Sequence, residues 1–218
     1  MRLFAAGSSS TAKRYRITMS TLVLGAWALW LSRRTEQSRV VFGVTLSGRP
    51  VELAQMESMV GPFINNLPMW VHVDKHTSFL RWLRQLMQNR AEMELHAHVP
   101  LGLLRQCIGA PQDKPLFEST YRFQNYPFSE TLLNRTQCQL AITTGRIIDR
   151  WHYPLNLVVT PGSELSLRIT YDRNQIDDDT SAETLIELQD LLACCVRDPQ
   201  QPLKALVMSP LAKSRRLD

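Results

Sequence analysis

The order of hydrophobic and polar residues predicts three long helices. Between residues 18 and 34 apolar side chains occupy every side of a helical projection, so this helix should be buried on most sides. Residues 77–94 and 181–196 instead carry apolar residues on one face, the pattern of amphipathic helices. Three aspartates, 177–179, precede the last helix. Because a carboxylate accepts from the free N–H groups of a first helical turn, we interpret these aspartates as a helix cap rather than a cation site.

Other segments have the β-branched or alternating composition of strands. They are residues 39–45, 67–73, 116–123, 139–143, 153–160 and 164–171. A short amphipathic helix is predicted at residues 51–59, after Pro50. Helices that precede a group of strands, with one more helix to close, predict an α/β fold in which a mixed sheet packs against helices.

The composition is that of a globular protein, and the charge distribution narrows the range of partners. The 218 residues are 44% hydrophobic and 21% charged, which predicts one compact unit. The net charge of +5 lies at the ends: residues 1–34 contain six basic and no acidic side chains, and residues 204–218 contain four basic and one acidic. The remainder is slightly acidic and lacks a basic face with interleaved aromatic residues, which argues against nucleic acid as a partner.

An apolar run at residues 22–31 follows basic residues and so imitates an export signal. The run is shorter than the ~20 residues of a membrane span, and arginines rather than a small-residue cleavage site follow it. We therefore expect a buried helix capped by Thr18 or Ser20, and no membrane association. The four cysteines lack the spacing of a metal site or a disulfide framework, which favours reduced thiols in a cytoplasmic protein.

No motif of a complete active site is present. The sequence contains neither GxSxG nor a glycine-rich phosphate or dinucleotide loop. Histidines are the usual acid–base groups near neutral pH. The five in this chain are His72, His76, His96, His98 and His152. His72 and His76 flank Asp74, but a strand and the following helix share that stretch, which argues against their convergence on a metal. His96 and His98 lie two residues apart, with no third ligand evident. We interpret all five as surface or satisfied core residues, and assign no catalytic residue and no metal.

Six blocks of sequence, in the correct order, resemble the C-terminal half of the condensation domains of nonribosomal peptide synthetases. They are residues 21–29 (TLVLGAWAL), 40–50 (VVFGVTLSGRP), 60–68 (VGPFINNLP), 98–101 (HVPL), 114–127 (KPLFESTYRFQNYP), and 153–155 (YPL) with 162–165 (GSEL). The sequence departs from the family pattern at Leu24, where glutamine is usual, and at Asn66, where threonine is usual.

The resemblance implies a chloramphenicol-acetyltransferase-like fold, in which two similar lobes meet along a channel. In the family, carrier proteins deliver thioester-bound substrates on phosphopantetheine arms, and the amine of one substrate attacks the thioester of the other to form an amide bond. The family's proton-handling motif, HHxxxDG, belongs to the N-terminal lobe. Residues 1–218 contain no adjacent histidines and no histidine followed four residues later by aspartate. We therefore expect an acyltransferase-type fragment that forms no amide bond alone and binds no cofactor directly.

The resemblance also divides the chain and assigns candidate residues. Residues 14–203 are assigned to the C-terminal lobe, and residues 1–13 and 204–218 to basic tails. The channel or lobe-interface candidates are Ser47, Gly48, Arg49, Pro50 and Asn65.

In the SGRP turn, Gly48 permits close backbone approach, Pro50 stiffens the exit and Arg49 supplies a permanent donor fork. Two roles stay open for Arg49: a salt bridge across the lobe interface, and direct contact with a substrate. For Asn65, backbone capping is favoured over substrate contact.

Three functions are consistent with this pattern. The first is a truncated half of a condensation domain. The second is a split subunit that an N-terminal lobe on another chain completes, which would leave an exposed apolar face on this chain. The third is a non-catalytic module that binds an acidic carrier protein through its basic ends.

Overall fold

The computed structural model describes residues 2–3, 11–49, 54–56, 58–111, 113–125, 152–162 and 164–208. The described strands are β1 (Arg2–Leu3), β2 (Arg39–Leu46), β3 (Asn65–His72), β4 (Ser119–Phe123), β5 (Leu155–Thr160) and β6 (Leu165–Tyr171). The described helices are α1 (Met19–Thr35), α2 (Phe79–Leu95), α3 (Leu101–Cys107), α4 (Asp178–Arg197) and α5 (Leu203–Met208), and residues 11–15 are also helical.

The strands form one mixed sheet in the order β1-β6-β5-β4-β2-β3. β4 pairs in parallel with β2 and with β5, and the other neighbours pair antiparallel. β2 and β3 are paired along their whole length, from Arg39 opposite His72 to Leu46 opposite Asn65. The prediction of an α/β fold with a mixed sheet is confirmed.

The core joins α1 to one face of the sheet. Residues 20–30 of α1 are all buried, which confirms the predicted burial of this helix. The side chain of Thr18 caps it, since Oγ1 accepts from the Thr21 N–H at 3.0 Å. In β2 alternate residues such as Phe42 and Val44 are fully buried, as the pleat of a strand requires, and they belong to the same hydrophobic cluster as α1.

A buried hydrogen-bonded group links the sheet to two helices. Tyr121 on β4 is fully buried, and its hydroxyl donates to the carbonyl O of Ser20 on α1 at 2.8 Å. Arg90 on α2 donates to the Ser20 hydroxyl and pairs with Glu94 at 3.2 Å. Burial raises the pKa of Tyr121, so the hydroxyl stays protonated and remains a hydrogen-bond donor near neutral pH.

The predicted amphipathic helices are confirmed, with small shifts at their ends. The helix predicted at 77–94 is α2, and the helix predicted at 181–196 is α4. Asp177 caps α4, because its Oδ1 accepts from the Thr180 N–H at 2.6 Å. This hydrogen bond from the backbone lowers the pKa of Asp177, since it stabilises the ionised carboxylate.

The strand predictions and the short-helix prediction have different outcomes. Five of the six predicted strands correspond to β2–β6, and the one at 139–143 lies outside the described residues. The predicted helix at 51–59 is wrong where the chain is described, because residues 54–56 and 58 form turns. Gln55 there has φ 62°, a left-handed conformation that a helix does not accommodate. The remaining residues of that segment lie outside the described ranges.

Parts of both segments assigned as basic tails contribute to the fold. At the N-terminal end, β1 pairs with β6, and Ala12 is buried. At the C-terminal end, α5 places Leu206 in the core with 1% of its surface exposed. Apolar side chains therefore anchor parts of both ends in the core. Residues 4–10 and 209–218 lie outside the description, and the boundaries at 14 and 203 stay predictions.

All five histidines are exposed. Of the two sequence interpretations, surface and satisfied core, the structure therefore agrees with the first. Within the described ranges, no three or more His, Cys, Asp or Glu side chains are placed to hold a metal ion. None of the described helices combines the length and the hydrophobicity needed to cross a membrane. Cys107 is exposed, Cys194 partly buried and Cys195 buried, and all three are free thiols; Cys138 lies outside the described residues.

Candidate functional site

The turn that follows β2 depends on glycine at position 48. Gly48 has φ +55°, in the left-handed region that side chains with a Cβ disfavour. A Cβ placed on it would lie 2.2 Å from the carbonyl O of Phe63, well inside contact distance. The backbone of residue 48 therefore packs directly on the backbone of residue 63. Both the conformation and the close approach disfavour a larger residue here.

The Arg49 guanidinium contacts the loop between β2 and β3. Nη1 donates to the carbonyl O of Met56, and Nη2 donates to that of Met59 at 3.1 Å. The guanidinium carbon also lies 4.3 Å from the centre of the Phe63 ring, a cation–π geometry. We call Arg49, Met56, Met59 and Phe63 the Arg49 cluster. Among the described residues, no carboxylate lies within ion-pairing distance of this guanidinium.

Asn65, the first residue of β3, fixes a third segment against the turn. Its Nδ2 donates to the carbonyl O atoms of Ala97 and Val99, at 2.9 and 2.8 Å. Its Oδ1 accepts from the N–H of Asn66 at 2.9 Å. These are the contacts expected of a side chain that caps backbone groups. The loop after α2, residues 96–99, is thereby tied to the end of β3 that lies beside the SGRP turn.

The structure brings three of the predicted site residues together. Gly48 and Arg49 both contact Phe63, and Asn65 lies beside the turn because it pairs with Leu46 at the end of β2. Ser47 is exposed and has no described side-chain contact, and Pro50 lies outside the described residues. Sequence reasoning missed Phe63 and the five backbone groups that accept from or donate to these side chains. A signal was present in the VGPFINNLP block, where Phe63 shortly precedes the candidate Asn65.

The surface beside this turn is apolar. Met59 is 39% exposed, Ile64 is 53% exposed, and Val60 is fully exposed. The described contacts of Gly48, Arg49 and Asn65 are with backbone groups and one aromatic ring. Such contacts position backbone but supply no acid–base group, so the arrangement shapes a surface rather than moves a proton.

Comparison with protein families identifies the family of the chain. The model of the condensation domain family matches residues 4–217, nearly the whole sequence. The chain belongs to the condensation domain family. The match also extends into both segments that the sequence analysis assigned to tails.

Curated relatives of this condensation domain chain include gramicidin, chondramide and surfactin synthases. It is 36% identical over 196 residues to one of the linear gramicidin synthase proteins of Brevibacillus parabrevis, in a match that covers 90% of this chain and 2% of the synthase. It is 31% identical over 206 residues to chondramide synthase of Chondromyces crocatus, with 94% and 5% covered. It is 26% identical over 196 residues to surfactin synthase subunit 3 of Bacillus subtilis, with 89% and 15% covered.

Solved structures have the same fold. A four-domain nonribosomal peptide synthetase bound to AMP and glycine matches with a TM-score of 0.80 and 16% identity, over 94% of this chain and 17% of the other. The first condensation domain of the calcium-dependent antibiotic synthetase matches with a TM-score of 0.73 and 17% identity, over 94% and 45%. The chain therefore has the fold of roughly half of a condensation domain, and it spans a small share of its curated relatives.

Proposed function

We propose that the chain is the C-terminal half of a condensation domain and forms one wall of the channel in which carrier-bound substrates react. The observation that carries this proposal is the coverage: nearly all of the chain superposes on 45% of a solved condensation domain. The order of the six motif blocks, which resembles the C-terminal half, supports the choice of half. The SGRP turn and its contacts with Phe63 and residues 97–99 then belong to that wall.

The chain is inactive alone under this proposal. Its 218 residues contain no HHxxxDG motif, and the five histidines are exposed rather than paired. Loss of a positioned proton-transfer group lowers a rate by roughly 10²–10⁴-fold. Loss of the opposite wall also removes the alignment of the two substrates, an effect of up to about 7–11 kcal/mol. Together these terms lower the rate towards that of the uncatalysed reaction.

The partners under this proposal are carrier proteins and an N-terminal half, in the same polypeptide or on another chain. The carrier proteins hold the substrates as thioesters on phosphopantetheine arms. The amine of the acceptor substrate attacks the thioester carbonyl of the donor, an amide bond forms, and the donor's carrier thiol leaves. This chain contributes the shape of one wall, and the other half contributes the group that accepts the proton of the amine.

A reconstitution assay tests the proposal. The 218-residue chain is incubated with donor- and acceptor-loaded carrier proteins, either alone or with a separately expressed N-terminal half that carries HHxxxDG, and the amide product is measured by mass spectrometry. We expect product from the mixture and none above background from the chain alone. The control is the N-terminal half with its second motif histidine replaced by alanine, which should abolish the product. Product from this chain alone would refute the proposal.

A further inference from the structure

We propose that Arg49 is a positioning residue that holds the β2–β3 loop in place, rather than a residue that contacts a substrate or pairs across a lobe interface. This inference concerns the wall assigned under the proposed function and rests on that function for its role in the reaction. It deepens the assignment, because it gives the SGRP turn a task within its own chain.

The donors of Arg49 are directed at its own loop. Both terminal nitrogens of the guanidinium bond carbonyl groups of that loop, those of Met56 and Met59. The planar group also lies over the Phe63 ring, 4.3 Å from its centre. A guanidinium that already donates to two carbonyls and stacks on a ring is held in one orientation. A salt bridge to another lobe or a bond to a substrate could use only the three remaining N–H groups of the fork, in the orientation that these contacts already set.

The loop itself depends on such contacts. Residues 54–56 and 58 form turns and residues 59–63 have neither helix nor strand structure, so a sheet ladder does not hold this segment. Its described backbone bonds are local: Ser58 donates to Gln55 at 3.0 Å and Phe63 to Gly61 at 3.2 Å. Arg49 connects both parts of the loop to the end of β2, at Met56 and at Phe63.

Gly48 completes the same arrangement from the backbone side. Because residue 48 has no Cβ, the carbonyl of Phe63 can approach the turn, and the ring of the same residue lies against the guanidinium. The loop is therefore fixed by a side chain and by a backbone contact. The exposed apolar residues Met59, Val60 and Ile64 lie within or directly after this segment, so their positions depend on the Arg49 cluster.

Hydrogen exchange of the chain alone tests the positioning role. Amide exchange of Ser58 and Phe63 is followed by NMR in the 218-residue protein and in R49A, R49K and R84A. We expect R49A to speed exchange at both amides by at least about tenfold, because local opening becomes easier, while Val44 in the core changes by less than about threefold. R49K should lie between, since one ammonium does not reproduce a fork that also stacks. R84A, at an exposed arginine of α2, should match the wild type.

A double-mutant cycle separates this role from substrate contact. F63L removes the ring under the guanidinium and should speed loop exchange as R49A does, and the double variant should be no worse than R49A, because both substitutions break one arrangement. In the reconstituted domain, kcat/KM should show the same non-additivity. Wild-type exchange in R49A, or additive effects on exchange, would overturn the inference. If no pair of halves forms product, the proposed function fails, whereas the exchange data still decide the role of Arg49.

Discussion

The substitution Gly48→Ala tests the construction of the turn most directly, because two separate terms act at one position. The first is conformational: a residue with a Cβ at φ +55° is disfavoured by roughly 1–2 kcal/mol. The second is steric, since the new Cβ would lie 2.2 Å from the Phe63 carbonyl O. The contacting atom belongs to the backbone, so no side-chain rotation relieves the clash.

The steric term is estimated from what must move. The Phe63 carbonyl has to retreat by roughly 1.2–1.8 Å to reach an ordinary contact distance. Asn65, two residues later, is held by its bonds to Ala97 and Val99. Shifts of this kind in packed structure cost about 1–3 kcal/mol. The sum of about 2–5 kcal/mol is a large part of the roughly 5–15 kcal/mol that is typical for a domain.

Gly109→Ala is the matched control, and urea unfolding followed by far-UV circular dichroism is the assay. Gly109 has nearly the same conformation, φ +63°, but a Cβ there meets nothing within 4 Å. We therefore expect Gly109→Ala to lower the free energy of unfolding by the conformational term alone, about 1–2 kcal/mol, and Gly48→Ala to lower it further by the steric term. Equal losses in the two variants would refute the close backbone approach.

Three further predictions concern stability and are measured by urea unfolding. Asn65→Ala should lower the free energy of unfolding by about 1–3 kcal/mol, because the carbonyls of Ala97 and Val99 lose their donor. Asn65→Asp should lower it further, because a carboxylate would face both carbonyl oxygens. An Asp variant as stable as the Ala variant would contradict this. Tyr121→Phe should lower it by about 0.5–1.5 kcal/mol through loss of the bond to the Ser20 carbonyl, and an unchanged value would contradict that bond. Because the pKa of Asp177 is lower in the native state than its ordinary value of 3.8, the ionised carboxylate stabilises the fold at pH values above 3.8, and this stabilisation is lost as the pH falls through the native pKa. The wild type should therefore lose more stability than Asp177→Asn between about pH 5 and 2. Parallel pH profiles of the two proteins would contradict the cap.

Local patterns were sufficient for most of the helices and strands. The burial of α1 followed from apolar residues on every side, and the cap at Thr18 followed from the residue type that precedes them. β2 was readable because its β-branched residues end at a glycine and a proline that no strand interior favours. Each of these signals lies within a few residues of the structure that it determines.

The contacts of the candidate site could not be predicted in the same way. Residues 51–59 carry an amphipathic pattern, yet the described residues form turns, and Arg49 donates to the Met56 carbonyl from outside the segment. Asn65 bonds residues 32 and 34 positions further along the chain, and their location depends on where α2 ends. Contacts of this kind are set by tertiary packing, and no local period predicts them.

One departure from the family pattern lies beside a buried tryptophan. Trp27 is fully buried and stacks on Trp30 at 5.0 Å, and within the described part of the chain its Nε1–H has no hydrogen-bond partner. Leu24 lies one helical turn before it, at the position where the resembling family usually has glutamine. A glutamine side chain has an acceptor oxygen within reach of a residue three positions later, whereas leucine has none. The departure noted in the sequence thus coincides with an unpaired donor.

The described contacts of the SGRP turn give it a structural role in the fold. Contacts of Gly48, Arg49 and Asn65 hold the turn against Phe63, the β2–β3 loop and residues 97–99. A substitution there changes the shape of the wall before any substrate binds, so lower turnover in a reconstituted domain does not by itself indicate lost substrate contact. Because the chain alone contains all of these contacts, its stability and amide exchange report on the shape separately from the chemistry. A variant that leaves both unchanged and still lowers turnover would be the one that identifies a residue in contact with the substrates.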